Sequence, residues 1–126
     1  MKRAIPFLLA AAVLAGCATT GNLGAAADRL DQSAHRYYRQ VDYGRGPGAT
    51  TNDAAALAEA TRDFSRAVDR TNSRDALQPS FDRVAGRYHE LRDQVERRDG
   101  RYGENSVAFE RVTDAYLDVE RAMNYR

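Results

Sequence analysis

This chain is poor in the residues that carry most cysteine, metal and imidazole chemistry. It has one cysteine, no tryptophan and two histidines in 126 residues, and its only lysine is Lys2. A lone Cys17 excludes a disulfide within the chain and the paired thiols that attach a c-type haem. Two histidines, His35 and His89, leave little for imidazole catalysis. Long hydrophobic runs are also missing. Ala4 to Ala15 is apolar and interrupted only by Pro6, but about 20 apolar residues are needed to cross a bilayer, and no second run follows. Charge of one sign is absent too, with 19 basic residues against 18 acidic. That balance argues against bulk electrostatic binding to nucleic acid or to an anionic membrane.

The N-terminus is patterned as a leader. Met1-Lys2-Arg3 is a short cationic start, and the apolar run behind it has signal-peptide length. The run ends in Leu14-Ala15-Gly16-Cys17. That stretch resembles the lipobox of bacterial lipoproteins, and the resemblance covers residues 1–17 alone. It implies that the thiol of Cys17 receives a diacylglycerol, that the chain is cut before it, and that Cys17 becomes the first mature residue and the lipid anchor. It also implies a cell-envelope location. Ala18, standing where an aspartate would retain the protein in an inner membrane, implies export to an outer membrane, facing the periplasm. The alternative is an ordinary signal peptidase cutting after Ala18 and discarding the cysteine. The expected organisation is a signal peptide at 1–16, the lipidated cysteine and a small polar tether at 17–24, and one domain at 25–126. With Lys2 and Arg3 removed, 17 basic residues face 18 acidic ones.

Beyond the tether the chain falls into four stripes of helical period. Ala27, Leu30, Ala34, Tyr37 and Val41 recur at steps of 3 and 4, which is one face of a helix. The string "YGRGPGATT" ends it, and Asn52 and Asp53 can cap a second helix. That helix carries Leu57, Thr61, Phe64, Val68 and Thr71. Pro79 fits the first turn of a third helix, because proline lacks the amide hydrogen that a helix interior needs. Its stripe is Phe81, Val84, Tyr88, Leu91 and Val95, with Leu77 in phase just before it. Arg97 and Arg98 suit its C-terminal dipole, and Gly100 closes it. After "DGRYGENS", a fourth helix presents Phe109, Val112, Tyr116, Val119 and Met123. No strand-like alternation competes. The expected fold is all-α, an antiparallel up-down-up-down four-helix bundle, with a three-helix bundle and a loose first helix as the alternative.

Candidate chemistry is sparse. His89 and Asp93 are spaced i, i+4, and His35 is the one further imidazole, but a zinc site takes three or four ligands. No Glu-x-x-His pair marks a di-iron centre, no Gly-x-Ser-x-Gly elbow marks a hydrolase, and Met123 lies in a stripe as core filler. The expectation is a non-enzyme with no cofactor or metal. Surfaces are more informative. Arg62, Arg66 and Arg70 repeat every four residues on the second helix, and Glu110, Asp114 and Asp118 do so on the fourth. Like charges at that spacing cost a few tenths of a kcal/mol per pair, so a sequence tuned only for helix stability would mix the signs. Both ridges are read as solvent-facing and as meeting a partner, or each other between two copies. Tyr38, beside Arg36 and Arg39, is a second contact candidate. The arginines are interspersed with acids and form no single patch along the chain. The expected function is that of a small membrane-anchored envelope lipoprotein. It would be a non-catalytic structural or protein-interaction module, held by lipid on Cys17, with an envelope protein or a second copy as partner and no nucleic acid. The alternative is a bundle binding a small ligand or a metal in the periplasm.

Overall fold

The structure is a computed structural model that describes residues 22–45, 49–98 and 106–124. The leader, Cys17, the first part of the tether and Gly100 lie outside the described residues. Those described form four helices and no strand: α1 (Asn22–Arg45), α2 (Ala49–Arg70), α3 (Arg74–Arg98) and α4 (Ser106–Asn124). No described helix is long and apolar enough to cross a membrane.

The four stripes are the four buried faces. Leu30, Tyr37, Val41, Leu57, Phe64, Leu77, Val84, Leu91, Val112 and Val119 are almost wholly removed from solvent. Only the end of the α2 stripe frays, with Val68 and Thr71 half-buried. Alanines beside the stripes complete the core, Ala26, Ala58, Ala60, Ala115 and Ala122 among them. Thr61 enters it with its hydroxyl satisfied, donating to the Ala58 carbonyl at 2.9 Å or to Asp31 Oδ1 at 3.2 Å.

Three helices start earlier than the pattern suggests. α1 begins at Asn22 because Leu23 is in phase with Ala27 and Leu30 and is buried with them. α2 begins at Ala49, so Asn52 and Asp53 lie inside the helix and do not cap it. The buried Thr50, Thr51 and Ala54 draw that first turn inward. α3 begins at Arg74, which makes Pro79 an interior residue. Ser73 is the cause. Its Oγ accepts the Ala76 amide at 3.2 Å and its carbonyl accepts the Leu77 amide at 3.1 Å, an N-cap that starts the helix a turn before the proline. The amide that Pro79 lacks would have met the Asp75 carbonyl, and both residues are exposed, so that carbonyl is not stranded in the core. Replacing Ser73 with alanine should cost about 1 kcal/mol and lower the melting temperature by roughly 4 °C, measured by circular dichroism.

α1 packs against α2 and α4, and α2 against α3. Asp28 accepts from Ser65 at 2.8 Å, His35 meets Arg62 at 2.7 Å and Arg29 meets Asp118 at 3.7 Å. Asp63 faces Arg83 at 3.9 Å, Tyr88 and Thr113 share a hydrogen bond at 2.9 Å, and Arg74 Nε donates to the Ala122 carbonyl at 3.0 Å near the end of α4. Between α3 and α4 the filling is aromatic. Tyr88 stacks on Tyr116 at 4.1 Å and on Phe109 at 6.0 Å, and Phe81 stacks on Tyr116 at 6.1 Å. Tyr37 meets Phe109 at 5.5 Å and Phe64 meets Phe81 at 5.9 Å. Six rings therefore form one connected spine that touches all four helices.

Burial first, then the charge of Glu120 and its hydrogen bond to the Tyr116 hydroxyl, raise the Tyr116 phenol from the ordinary 10.0 to about 12; the Tyr88 phenol adds to the rise and Arg92 opposes it. The fold favours the protonated phenol. Its contribution to stability is whole below pH about 10 and is lost as pH rises toward about 12. Absorbance titration should show a phenol ionising near that upper value, and Tyr116→Phe should remove that contribution.

Candidate functional site

The outer face of α1 is bordered by two clefts. One side of α1 carries Arg29, Gln32, Ser33, Arg36 and Gln40 at steps of 3, 1, 3 and 4. Opposite them α4 places Val107, Ala108, Arg111, Asp114, Ala115 and Asp118. The cleft between has a volume of 560 Å³. Its floor is made of small residues, the buried Ala115 with the half-buried Ser33 and Ala108, so the two helices leave room between their longer side chains. A second, shallower cleft of 310 Å³ lies between α1 and α2, lined by Asp31, Gln32, His35, Arg36, Arg39 and Arg62. Gln32 and Arg36 form the ridge common to both.

Of the three acids that line the clefts, Asp31 and Asp118 have polar partners within the bundle. Asp31 accepts from Thr61 and lies 3.0 Å from His35 Nδ1. Asp118 is shared by Arg29 and by Arg121, the latter at 3.5 Å. His35 Nε2 lies 2.7 Å from an Arg62 nitrogen. A guanidinium only donates, so Nε2 accepts and Nδ1 carries the hydrogen, directed at the Asp31 carbonyl 2.8 Å away and at its carboxylate. The imidazole thus orients Arg62 without neutralising it. Arg36, Arg39, Arg62 and Arg111 make no ion pair among the described residues, and neither does Asp114. Chemically, the face offers planar guanidinium donors and neutral amides.

Apolar surface adjoins one end. Tyr43 is 96 % exposed and Val107 is 61 % exposed. Tyr43 follows Arg36 by seven residues, two turns further along the same side of α1, and Val107 lines the larger cleft beside Ala108.

The residues singled out from the sequence divide across this geometry. Arg62 lines the smaller cleft, while Arg66 and Arg70 are exposed and line neither. Asp114 and Asp118 line the larger cleft, while Glu110 is exposed outside it. Each step of four residues turns a helix about 40° past a full rotation, so such a ridge spirals away from any one face. Asp118 also pairs with Arg29 of α1, so that end of the acidic ridge is engaged within the bundle. Tyr38 is half-buried and packed on the core. His35 sits between α1 and α2, whereas His89 stands edge-on to Tyr88 and Tyr116 at 5.4 and 5.9 Å. The two imidazoles therefore do not converge, and among the described residues no group of three or more metal-ligating side chains is present. Two contributors escaped the sequence reading. The glycine-rich string that begins at Tyr43 predicts a loop there, yet α1 runs through Tyr43 to Arg45. Val107 adjoins its stripe without belonging to it. No family model, curated protein or solved structure matches this chain.

Proposed function

We propose that this chain is a small lipid-anchored lipoprotein of the cell envelope whose helical head is a non-catalytic protein-interaction module, docking through the outer face of α1. The anchor is the lipid on Cys17, and Ala18 behind it favours an outer membrane with the head in the periplasm. The head is read as an antiparallel up-down-up-down bundle. In support, rising numbers on one helix meet falling numbers on the next. Asp28 and His35 meet Ser65 and Arg62; Phe64 and Asp63 meet Phe81 and Arg83. Arg74, Phe81 and Tyr88 meet Ala122, Tyr116 and Phe109, and Arg29 and Tyr37 meet Asp118 and Phe109.

In that arrangement the start of α1, the turn between α2 and α3, and the end of α4 share the end of the bundle nearest Cys17. The few residues from Cys17 to Asn22 reach at most about 17 Å, so that end stays close to the bilayer. Tyr43 and Val107 belong to the far end, where another envelope protein can meet them. The observation that carries the reading is this pair of exposed apolar side chains beside an arginine-lined cleft. Tyrosine and arginine are the residue types that anchor interfaces, whereas isolated exposed apolar residues carry no such neighbours.

Affinity capture of the anchored protein from crosslinked envelopes tests it. The double substitution Tyr43→Ser with Val107→Asp changes two mostly exposed side chains outside the core and should leave the helical content unchanged. Recovery of the partner should fall by about tenfold or more. Undiminished recovery would remove this face from the docking surface.

A further inference from the structure

We propose that the outer face of α1 recognises an acidic segment of its protein partner, a run of carboxylates laid along the ridge formed by Gln32 and Arg36. This rests on the interaction-module reading and adds the partner's chemistry to it.

Four guanidinium groups reach the ridge from three helices: Arg36 and Arg39 from α1, Arg62 from α2 and Arg111 from α4. Without Lys2 and Arg3 the chain is nearly neutral, so this concentration is local. None of the four is ion-paired among the described residues. Across the two clefts five arginines, Arg29 included, face three carboxylates, Asp31, Asp114 and Asp118, and Asp118 is paired with Arg29 and Arg121. Arg62 is aimed by the acceptor nitrogen of His35, a neutral group that fixes its direction and leaves its charge available.

Guanidinium groups are always charged, and their planar forks match carboxylates in pairs of parallel hydrogen bonds. Gln32, Ser33 and Gln40 add neutral donors and acceptors along the same line, suited to a peptide backbone. Both clefts are open along their length, which suits a chain lying across them better than a small molecule enclosed by them.

Asp114 gives the segment a direction. It is the one unpaired carboxylate in the larger cleft, so carboxylates of the partner are repelled there and drawn toward Arg36, Arg39, Arg62 and Arg111. At that end Tyr43 and Val107 await an apolar side chain. An acidic segment with an apolar neighbour fits both halves. A lipid headgroup fits less well, because the ridge runs along the flank of the bundle and its apolar end points away from the anchor.

The test uses the full chain in neutral detergent and a fluorescein-labelled decaglutamate peptide, followed by fluorescence anisotropy. Saturable binding is expected in about 50 mM salt, weakening by about tenfold near 300 mM as the charges are screened. Arg36→Gln with Arg111→Gln should weaken it by about tenfold or more. Arg66→Gln with Arg70→Gln, outside both clefts, should change it by less than about twofold. All four side chains are exposed, and circular dichroism verifies that each variant is folded. Three results would overturn the proposal: no saturable binding of decaglutamate, an equal loss in both double variants, or phosphatidylglycerol vesicles or inorganic phosphate binding through Arg36 and Arg111 more tightly than the peptide. If capture of the partner still depends on Tyr43 and Val107 while decaglutamate fails to bind, the docking face stands and only the acidic chemistry falls.

Discussion

Tyr88→Ala is expected to remove about 3–5 kcal/mol of stability. Tyr88 is the junction of the ring spine, stacked on Tyr116 and Phe109 and hydrogen-bonded to Thr113 across the seam between α3 and α4. Each such ring pair contributes about 0.5–1.5 kcal/mol beyond the area it buries. The rings fill this seam between α3 and α4, so removing the middle one leaves a void that the neighbouring helices cannot readily close. Against the 5–15 kcal/mol that holds a typical domain, the loss brings the head close to unfolding. Tyr88→Phe separates the two contributions. It keeps the stack, loses the hydrogen bond to Thr113, and should cost only about 1 kcal/mol. Urea unfolding followed by circular dichroism measures both. A Tyr88→Ala cost below about 1.5 kcal/mol would mean that the spine is incidental to stability.

Cys17→Ser carries the second large effect, on location and not on the fold. Serine retains the size of the side chain and removes the nucleophilic thiol that the lipobox resemblance makes the acceptor of diacylglycerol. Each buried methylene contributes about 0.8 kcal/mol, and one chain alone holds weakly, so two or three chains on one residue set the difference between a resident and a visitor of the membrane. The variant should accumulate as an unprocessed precursor still carrying residues 1–16, with no acylated N-terminus. Fractionation combined with intact mass measurement reads the outcome. A variant cut at the same place and recovered with membranes as before would remove the anchor from the account.

The helices and their inward faces were legible because helical period is a local property. A residue three or four places along is a neighbour whatever the tertiary structure, and Leu30 with Tyr37, or Val112 with Val119, announces a buried face unaided. The starts of the helices were less legible. Pro79 suggested a boundary by what it forbids, but the helix begins where Ser73 supplies a cap, and an exposed proline is tolerated once that cap exists. The arginine-lined face was invisible for another reason. Arg36 and Arg39, Arg62, and Arg111 are separated by about 23 and 49 residues, and only the choice of which helices flank α1 brings them together. Along the chain these arginines alternate with acids and look dispersed. In space five arginines and three acids line the two clefts, and Arg36, Arg39, Arg62 and Arg111 have no ion-pair partner among the described residues. The i, i+4 ridges differ between chain and space. They look continuous in sequence and spiral apart on the helix, leaving Arg62 in a cleft and Arg70 outside it.

The most direct test of the docking face is a photocrosslinking map in intact cells. A benzophenone side chain is placed singly at Arg36, Tyr43 and Arg111 on the α1 face, and at Arg83 and Glu96 on the exposed side of α3. A common adduct is expected from the first three positions and none from the last two. Adducts from Arg83 or Glu96 with none from Arg36, Tyr43 or Arg111 would place the partner on the opposite side of the molecule and contradict it.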